Sequence, residues 1–334
     1  MAVAWSPGIG VAQGGLHSVV RAIVLDALGK RSGDTLTKNS DFREALGVGI
    51  GTVQRALDLL ADRGALRTVS RGHLGRRIES VDLGQCWQAA GLPPIRVSLS
   101  PPGSVEVDSL EAWLSDELVR LGVPHTMRHV RGGNQRLEQL RSGVFDLTVV
   151  SAGTFSALVD TWASPDVVMS RLLGPGTYYS PERLVVLTTD ASRELEGMQR
   201  IAIDRESFDH EALTLAQFPP SPHREYIDVP FPEVPSFVLA GLADAGIWHV
   251  ISSAVPLSLT QLKTHQMVGA WAIATRDRLS YATVTVPAGR PELRSVLDAV
   301  RLESLTVARD ATIAADQAVT ARLNRELAAR RAHV

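Results

Sequence analysis

DFREALGVGIGTVQRALDLLADRGALRTVSRGHLGRRI, residues 41–78, joins two short helical patterns and a basic hairpin through glycine turns. Phe42, Ala45 and Leu46 share one face of a helix that Ser40 or Asp41 is placed to cap and Gly47 to end. After Val48, the residues Val53, Ala56, Leu57 and Leu60 recur at helical spacing to about Arg63, and Gly64 supplies the stop. Successive side chains lie 100° apart, so Gly51, Gln54, Arg55 and Asp58 fall opposite the apolar face and point outward. A short helix, a glycine turn and a second helix with a polar outer face make the helix-turn-helix pattern, whose second helix enters the major groove of DNA. Another kind of packed helical hairpin fits these two helices equally well.

The flanking residues favour the DNA-binding pattern. Upstream, Leu16, Val19, Val20, Ile23, Val24, Ala27 and Leu28 predict an amphipathic helix ending near Gly29 and Gly33. Downstream, Ala65–Ser70 and Arg76–Ser80 read as strands joined by the tight turn Arg71-Gly72-His73-Leu74-Gly75. The hairpin clusters Arg67, Arg71, Arg76 and Arg77, guanidinium groups suited to a phosphate backbone or a minor groove. On the helix, Thr52, Gln54 and Arg55 are the candidates for the duplex, with Gln54 and Arg55 assigned to base edges. On the hairpin the candidates are Arg67, Arg71, His73, Arg76 and Arg77.

Residues 16–80 resemble the GntR-type winged helix-turn-helix. Val48, Thr52, Val53, Arg55, Ala56, Leu57 and Gly64 match that family's pattern, and Arg71 to Gly75 match its wing tip. Gly49, Ile50 and Gly51 depart from it, because the family usually has polar groups at the start of the recognition helix.

Charge is divided along the chain. Net charge is -2 over 334 residues, yet residues 1–84 carry +3 and the remaining 250 carry -5. The positive excess lies where a DNA-binding unit needs it. With 45% hydrophobic and 21% charged residues, the composition is that of a folded protein of two or three domains. No run of 18 apolar residues occurs, and MAVAWSPGIGVAQGG lacks the basic head and apolar centre of a signal peptide, so a cytoplasmic protein without a membrane partner is expected. Cys86 is the single cysteine, which excludes an internal disulfide and suggests a small packed hydrophobe.

The expected division is a winged helix-turn-helix at 1–82, a linker at 83–94 held extended by Gly91 and Pro93-Pro94, and an α/β module at 95–334. Strands at Ile95–Leu99, His125–Val130 and Phe145–Val150 alternate with helices, one carrying a capping box in Asp108 and Glu111 and one spanning Gln135–Ser142. This βαβαβ succession predicts a mainly parallel sheet. Pro181–Thr189 reads as a strand crossing into a second lobe, and apolar segments at Met267–Ala274 and Ala282–Val286 as the return. Lobe 1 is then about 95–180 with 265–334, and lobe 2 about 181–264. The last 45 residues read as two helices.

Ligands of open α/β sheets bind beyond the carboxyl ends of the strands, where helix N-termini favour anions. The candidate ligand residues are Ser100 and Ser104 in the first such loop, Ser151, Gly153 and Thr154 in the second, and Asp204, Arg205 and Ser207 in a third. Tyr178 and Arg183 join them at the crossover, and Asp244 at the second-lobe helix-to-strand turn.

The order of elements resembles the type II periplasmic-binding-protein fold, two α/β lobes joined by two crossovers. Leu140 to Leu147 and Gly241 to Ile247 carry this likeness. From about residue 16 the chain resembles the YhfZ family of regulators, with Gly51-Thr52-Val53-Gln54 and Ser70 to Gly75 its most distinctive matches. The resemblance implies regulation of transcription and names no ligand. The winged unit and the symmetry of paired half-sites predict binding to double-stranded operator DNA as a homodimer, and the loop chemistry favours a small anionic effector, with sugars and zwitterions left open. Two other readings stay open: a large module that only dimerises, and an enzyme acting on a small molecule in the cleft. No His-Glu-x-x-His, Walker loop, Gly-x-Ser-x-Gly elbow or dinucleotide fingerprint occurs, so no catalytic residue, metal or cofactor is assigned. Asp204 with Asp209 forms a possible acid/base pair but is better suited to capping the helix near Phe208, and His210, His223, His249 and His265 are widely scattered.

Overall fold

The structure, a computed structural model, describes residues 15–72, 75–162, 168–190, 194–251 and 260–331. Helix α1 (Gly15–Leu28) buries Val19, Val20, Ile23, Val24, Ala27 and Leu28, a stripe repeating every three or four residues. Strand β1 (Thr35–Leu36), α2 (Asn39–Leu46), α3 (Ile50–Asp62), β2 (Leu66–Ser70) and β3 (Arg76–Val81) follow. The strands form an antiparallel sheet in the order β1-β3-β2. β1 is too short for an alternation signal, and its pairing with β3 is what makes it a strand. Neither Ser40 nor Asp41 caps α2: the N-cap is Lys38 without a side-chain bond, and Ser40 Oγ donates to Asp41 Oδ1 at 2.9 Å. Of the three residues expected inside, Phe42 is buried, Leu46 half-buried and Ala45 exposed. Gly47, at φ +62°, ends the helix as expected.

The segment 83–94 is not the extended linker that its prolines predict. Leu83–Ala89 forms α4, capped by Asp82, which accepts from Gln85 N at 2.8 Å. Cys86 and Trp87 are buried, Cys86 Sγ lies 3.2 Å from Ala65 O, and Trp87 Nε1 donates to Pro93 O at 3.0 Å. Burial pushes the Cys86 thiol up to about 12, so it stays protonated. Gly84 admits close packing: a Cβ there would lie 2.7 Å from Leu121 O. The apolar area of Trp87 outweighs the extended preference of Pro93-Pro94, which acts only on the few residues before the next strand.

Two five-stranded sheets follow. The first contains β4 (Ile95–Leu99), β5 (His125–His129), β6 (Leu147–Ser151) and β7 (Val168–Leu172), with α5 (Val105–Arg120), α6 (Gly133–Arg141) and α7 (Ala152–Val159) between them. The second contains β8 (Leu184–Thr188), β9 (Arg200–Ile203), β10 (Glu225–Asp228), β11 (Ala245–His249) and β12 (Lys263–Gln266), with α8 (Phe208–Gln217) and α9 (Val234–Leu239). After α10 (Ala270–Leu279), β13 (Ala282–Pro287) returns to the first sheet, and α11 (Pro291–Ala299) and α12 (Glu303–Arg331) end the described chain. The strand orders are β5-β4-β6-β13-β7 and β10-β9-β11-β8-β12, the same arrangement twice. In each sheet three parallel strands are followed by one antiparallel strand that enters straight from a crossover.

The crossovers differ from expectation in detail. Pro181–Arg183 is a short 3-10 turn, so only Leu184–Thr188 is strand. Met267–Ala274 runs largely into α10, and β13 alone makes the return. The crossovers meet where Tyr178 N donates to Ser280 O at 2.9 Å and Ala282 N to Thr177 Oγ1 at 2.9 Å. Helix α5 is capped by Ser104, which accepts from Val107 N at 3.1 Å. Asp108 and Glu111 do not form a capping box: Asp108 accepts from Gly103 N, and Glu111 pairs with His129. Among the described residues no helix is long and apolar enough to cross a membrane.

One apolar core runs from Val19 of α1 through Trp87 and Trp113 to Leu305 of α12, so the N-terminal unit and the first sheet pack as one body. The start of α12 is clamped to α5 by Glu117, which accepts from Arg301 N at 2.9 Å, Ser304 Oγ at 3.0 Å and Arg120 Nη2 at 2.6 Å. Burial by itself raises this carboxyl, but those hydrogen bonds outweigh it and hold the group at about 2. In the unfolded chain a glutamate titrates at about 4.3. A carboxyl depressed on folding stabilises the fold above the unfolded value and loses that contribution as pH falls through the folded one. The melting temperature is therefore expected to drop between about pH 5 and about pH 2. Glu117→Gln should lower it near neutral pH while flattening the acid limb, read by circular dichroism; an unchanged limb would place the acid sensitivity elsewhere.

Candidate functional site

Two surfaces hold the residues singled out in the sequence. On α3, Gly51, Arg55 and Asp58 are exposed, while Thr52 and Gln54 are half-buried. Gln54 Nε2 donates to Asp58 Oδ1 at 2.8 Å and its Oε1 accepts from Arg76 Nη2 at 3.2 Å, which fixes the amide and ties α3 to the wing. Arg55 Nη2 reaches only to Thr52 Oγ1, at 3.4 Å. On the wing, Arg67 and Arg71 are exposed and Arg76 and Arg77 half-buried. Arg71 N donates to Gly75 O at 2.8 Å, and Gly72 and Gly75 turn the chain at φ +62° and +86°, where an L side chain is disfavoured. His73 and Leu74 lie outside the described residues. Ile50, noted in the sequence only as a departure from the GntR-type pattern, is 52% exposed, and a Cβ on either flanking glycine would meet nothing within 4 Å, so the first turn of α3 is bare around one aliphatic side chain.

The second surface is the seam between the sheets. Ser151 caps α7 and is buried, and so is Thr154. Both donate to Asp209 Oδ1 of α8, at 2.6 and 2.8 Å, and Tyr179 Oη donates to Oδ2 at 3.2 Å. Burial raises the Asp209 carboxyl above its usual value, against the pull of the Ser151 and Thr154 hydrogen bonds and the Arg136 charge. Arg136 is itself buried and donates to Tyr178 Oη at 2.7 Å, to Val130 O at 2.6 Å and to Val149 O at 3.1 Å. Tyr178 shares a 3.0 Å hydrogen bond with Ser100. Beyond Tyr179 the seam continues through His249, whose Nε2 lies 3.3 Å from Glu106 Oε2, while Glu106 Oε1 accepts from Ser180 N at 3.0 Å. Arg131 pairs with Asp204, which also accepts from Glu206 N and Phe231 N.

The seam therefore gathers Ser100, Ser151, Thr154, Tyr178 and Asp204. The other candidates stand differently. Ser104 and Ser207 are spent as N-caps of α5 and α8. Gly153 packs against α10, where a Cβ would lie 2.1 Å from Leu279 Cδ2. Arg183 is paired with Asp316 of α12 at 2.8 Å, and Arg205 with Glu211 at 2.8 Å. Asp244 sits at the amino end of β11, bound to Arg200 at 2.9 Å, a strand's length from the carboxyl ends that face the seam. Asp209 does not cap α8, since Ser207 does; instead it crosses to the other lobe.

Arg136, Tyr179, Asp209, Glu106 and His249 were not assigned from the sequence. Asp209 left a signal as one of two close acids, Tyr179 as the neighbour of Tyr178 able to line the cleft, and His249 as one of four scattered histidines; Arg136 and Glu106 left none. Their partners lie tens of residues away, and no local spacing encodes that. Two surface hollows, of about 510 Å³ beside Glu111 and His125 and about 520 Å³ beside His17 and Arg63, lie away from the seam. Among the described residues no group of three His, Cys, Asp or Glu is placed to hold a metal. His210 is bonded to Asp204 N at 2.9 Å and Ile247 O at 3.0 Å, and burial holds it down at about 4, which keeps the imidazole neutral.

A helix-turn-helix unit fused to two α/β lobes with paired crossovers defines the class, a helix-turn-helix protein carrying a periplasmic-binding-protein-like module. Residues 82–318 match the YhfZ C-terminal domain and residues 31–78 a helix-turn-helix domain, and the chain belongs to the YhfZ family. It is 24% identical to the YhfZ protein of Escherichia coli (strain K12) over 234 residues, 70% of this chain and 74% of that protein. The crystal structure of YhfZ from Shigella flexneri superposes with a TM-score of 0.55 at 20% identity, over 70% of this chain and 96% of that one.

Helix propensity alone makes Gly153→Ala stabilising by roughly 0.5–1 kcal/mol. The blocked Cβ reverses the sign, and a loss of about 1–3 kcal/mol is expected in urea unfolding. In a Leu279→Ala background the obstructing methyl is gone and the loss should nearly vanish. Equal losses in both backgrounds would show that the seam does not depend on this contact.

Proposed function

We propose that this protein is a transcription regulator whose GntR-type winged unit binds an inverted-repeat operator as a homodimer, and whose operator affinity changes when a small anionic metabolite enters between the lobes. The observation that carries the DNA half is the Arg76–Gln54 hydrogen bond, which sets the wing beside the polar face of α3 so that both meet one duplex. Gln54 and Arg55 read base edges, Ile50 contacts a thymine methyl, and Thr52, Arg67, Arg71, His73, Arg76 and Arg77 hold the backbone or minor groove. A protein with this role works in the compartment that holds the chromosome, in keeping with the expected cytoplasmic location.

Hydroxyl-lined loops at the seam support the effector half. The filling of that seam by the protein's own side chains favours a second reading, in which the large module only dimerises. Neither reading uses catalysis.

Selection from random duplexes by the full-length protein should return an inverted repeat, and a pool without an enriched motif would defeat the operator claim. Gln54→Ala should relax preference at one position by about 1–3 kcal/mol. Arg71→Ala should weaken all duplexes alike and reduce the salt slope by about one unit.

A further inference from the structure

Asp209 belongs to α8 of the second lobe, yet its hydrogen-bond donors Ser151 and Thr154 belong to the first lobe and Tyr179 to the crossover. Three hydroxyls converge on one carboxylate, with the charge of Arg136 acting on it from behind Tyr178. Stability does not explain this chemistry, because apolar residues of similar volume hold a buried contact as well as a charged cluster does, or better. The cluster has the chemistry of a carboxylate site, with Ser151 and Thr154 on the first lobe, Tyr179 on the crossover and the carboxylate supplied by the second lobe.

A second acid, just before α8, also crosses, although it keeps two donors of its own lobe, Glu206 N and Phe231 N. Asp204, also from the second lobe, sits on Arg131 of the first. The two sites adjoin: Arg131 precedes Gly132-Gly133, and a Cβ on Gly133 would lie 2.8 Å from Thr154 Cγ2. Ser151, Thr154 and Arg131 all belong to the first lobe, so a separation of the lobes would vacate both sites together. Burial raises the Asp209 carboxyl, the mark of a charge held away from water.

We propose that Asp209 and Asp204 act as a tethered ligand, filling the positions in which the first lobe receives a small dicarboxylic acid, and that such an acid acts by displacing them and parting the lobes. This rests on the effector reading above and narrows it. Binding here opens the module.

Two binding arms test it on the full-length protein. Asp209→Ala leaves the hydroxyl receptor vacant. Sodium acetate should raise the melting temperature of this variant and not of the wild type, whereas acetamide, neutral and of the same shape, should leave both unchanged. Asp209→Asn keeps the volume and serves where the alanine variant fails to fold. Having lost its charged competitor, it should bind succinate or glutarate at least about tenfold more tightly than the wild type by calorimetry, because a competing closed state taxes apparent affinity by its population. Arg131→Gln should erase the preference for these diacids over acetate. Acetamide matching acetate, or equal diacid affinity in Asp209→Asn and wild type, would make Asp209 a structural lock and overturn the proposal. Operator affinity is measured separately: if both binding arms succeed and succinate leaves operator affinity unchanged, the tethered ligand stands and the effector reading fails.

Discussion

Trp87, buried in α4 between the wing and the first sheet, is the contact on which the rest of the architecture depends. Its ring and Cys86 extend the core of the helix-turn-helix into that of the first lobe, and Gly84 lets α4 lie directly on the turn after α5. A flexible tether would leave the recognition helix free to tumble relative to the module. Here α3, the wing, the first sheet and the start of α12 share one core, so the direction in which Gln54 and Arg55 point is set by the first lobe.

Freedom is left elsewhere. The second sheet has two cores of its own, one on each face, and meets the first lobe through a seam that is largely polar. Packed apolar surfaces resist sliding because every methylene has a complementary site, whereas hydroxyl, carboxylate and guanidinium groups exchange partners with water at modest net cost. The seam is therefore the contact between the two lobes that rests least on apolar packing. Helix α12 bridges the two bodies: it is clamped to α5 through Glu117 and reaches the base of the second lobe through the Asp316–Arg183 pair. The same helix leaves Val307, Val319 and Leu323 exposed.

By itself the sequence determined the features that arise within a few residues of one another. The apolar stripe of α3, the glycine turn before it, the arginine-rich wing and the alternation of strands and helices after residue 95 all come from periodicity and turn chemistry. The loops at Ser100 and Ser151 were legible as well, because a strand running into a helix through small polar residues has one geometry. Tertiary structure decided what depends on partners far along the chain. It turned the proline-flanked linker into α4, since burying Trp87 outweighs a local extended preference, and it made Thr35–Leu36 a strand by pairing it with β3. It sent Arg183 to Asp316 and left Asp244 at the wrong end of its strand. It also brought Asp209 to Ser151, 58 residues away. Which acid meets which donors is fixed only when the two sheets meet, and no local pattern records that meeting.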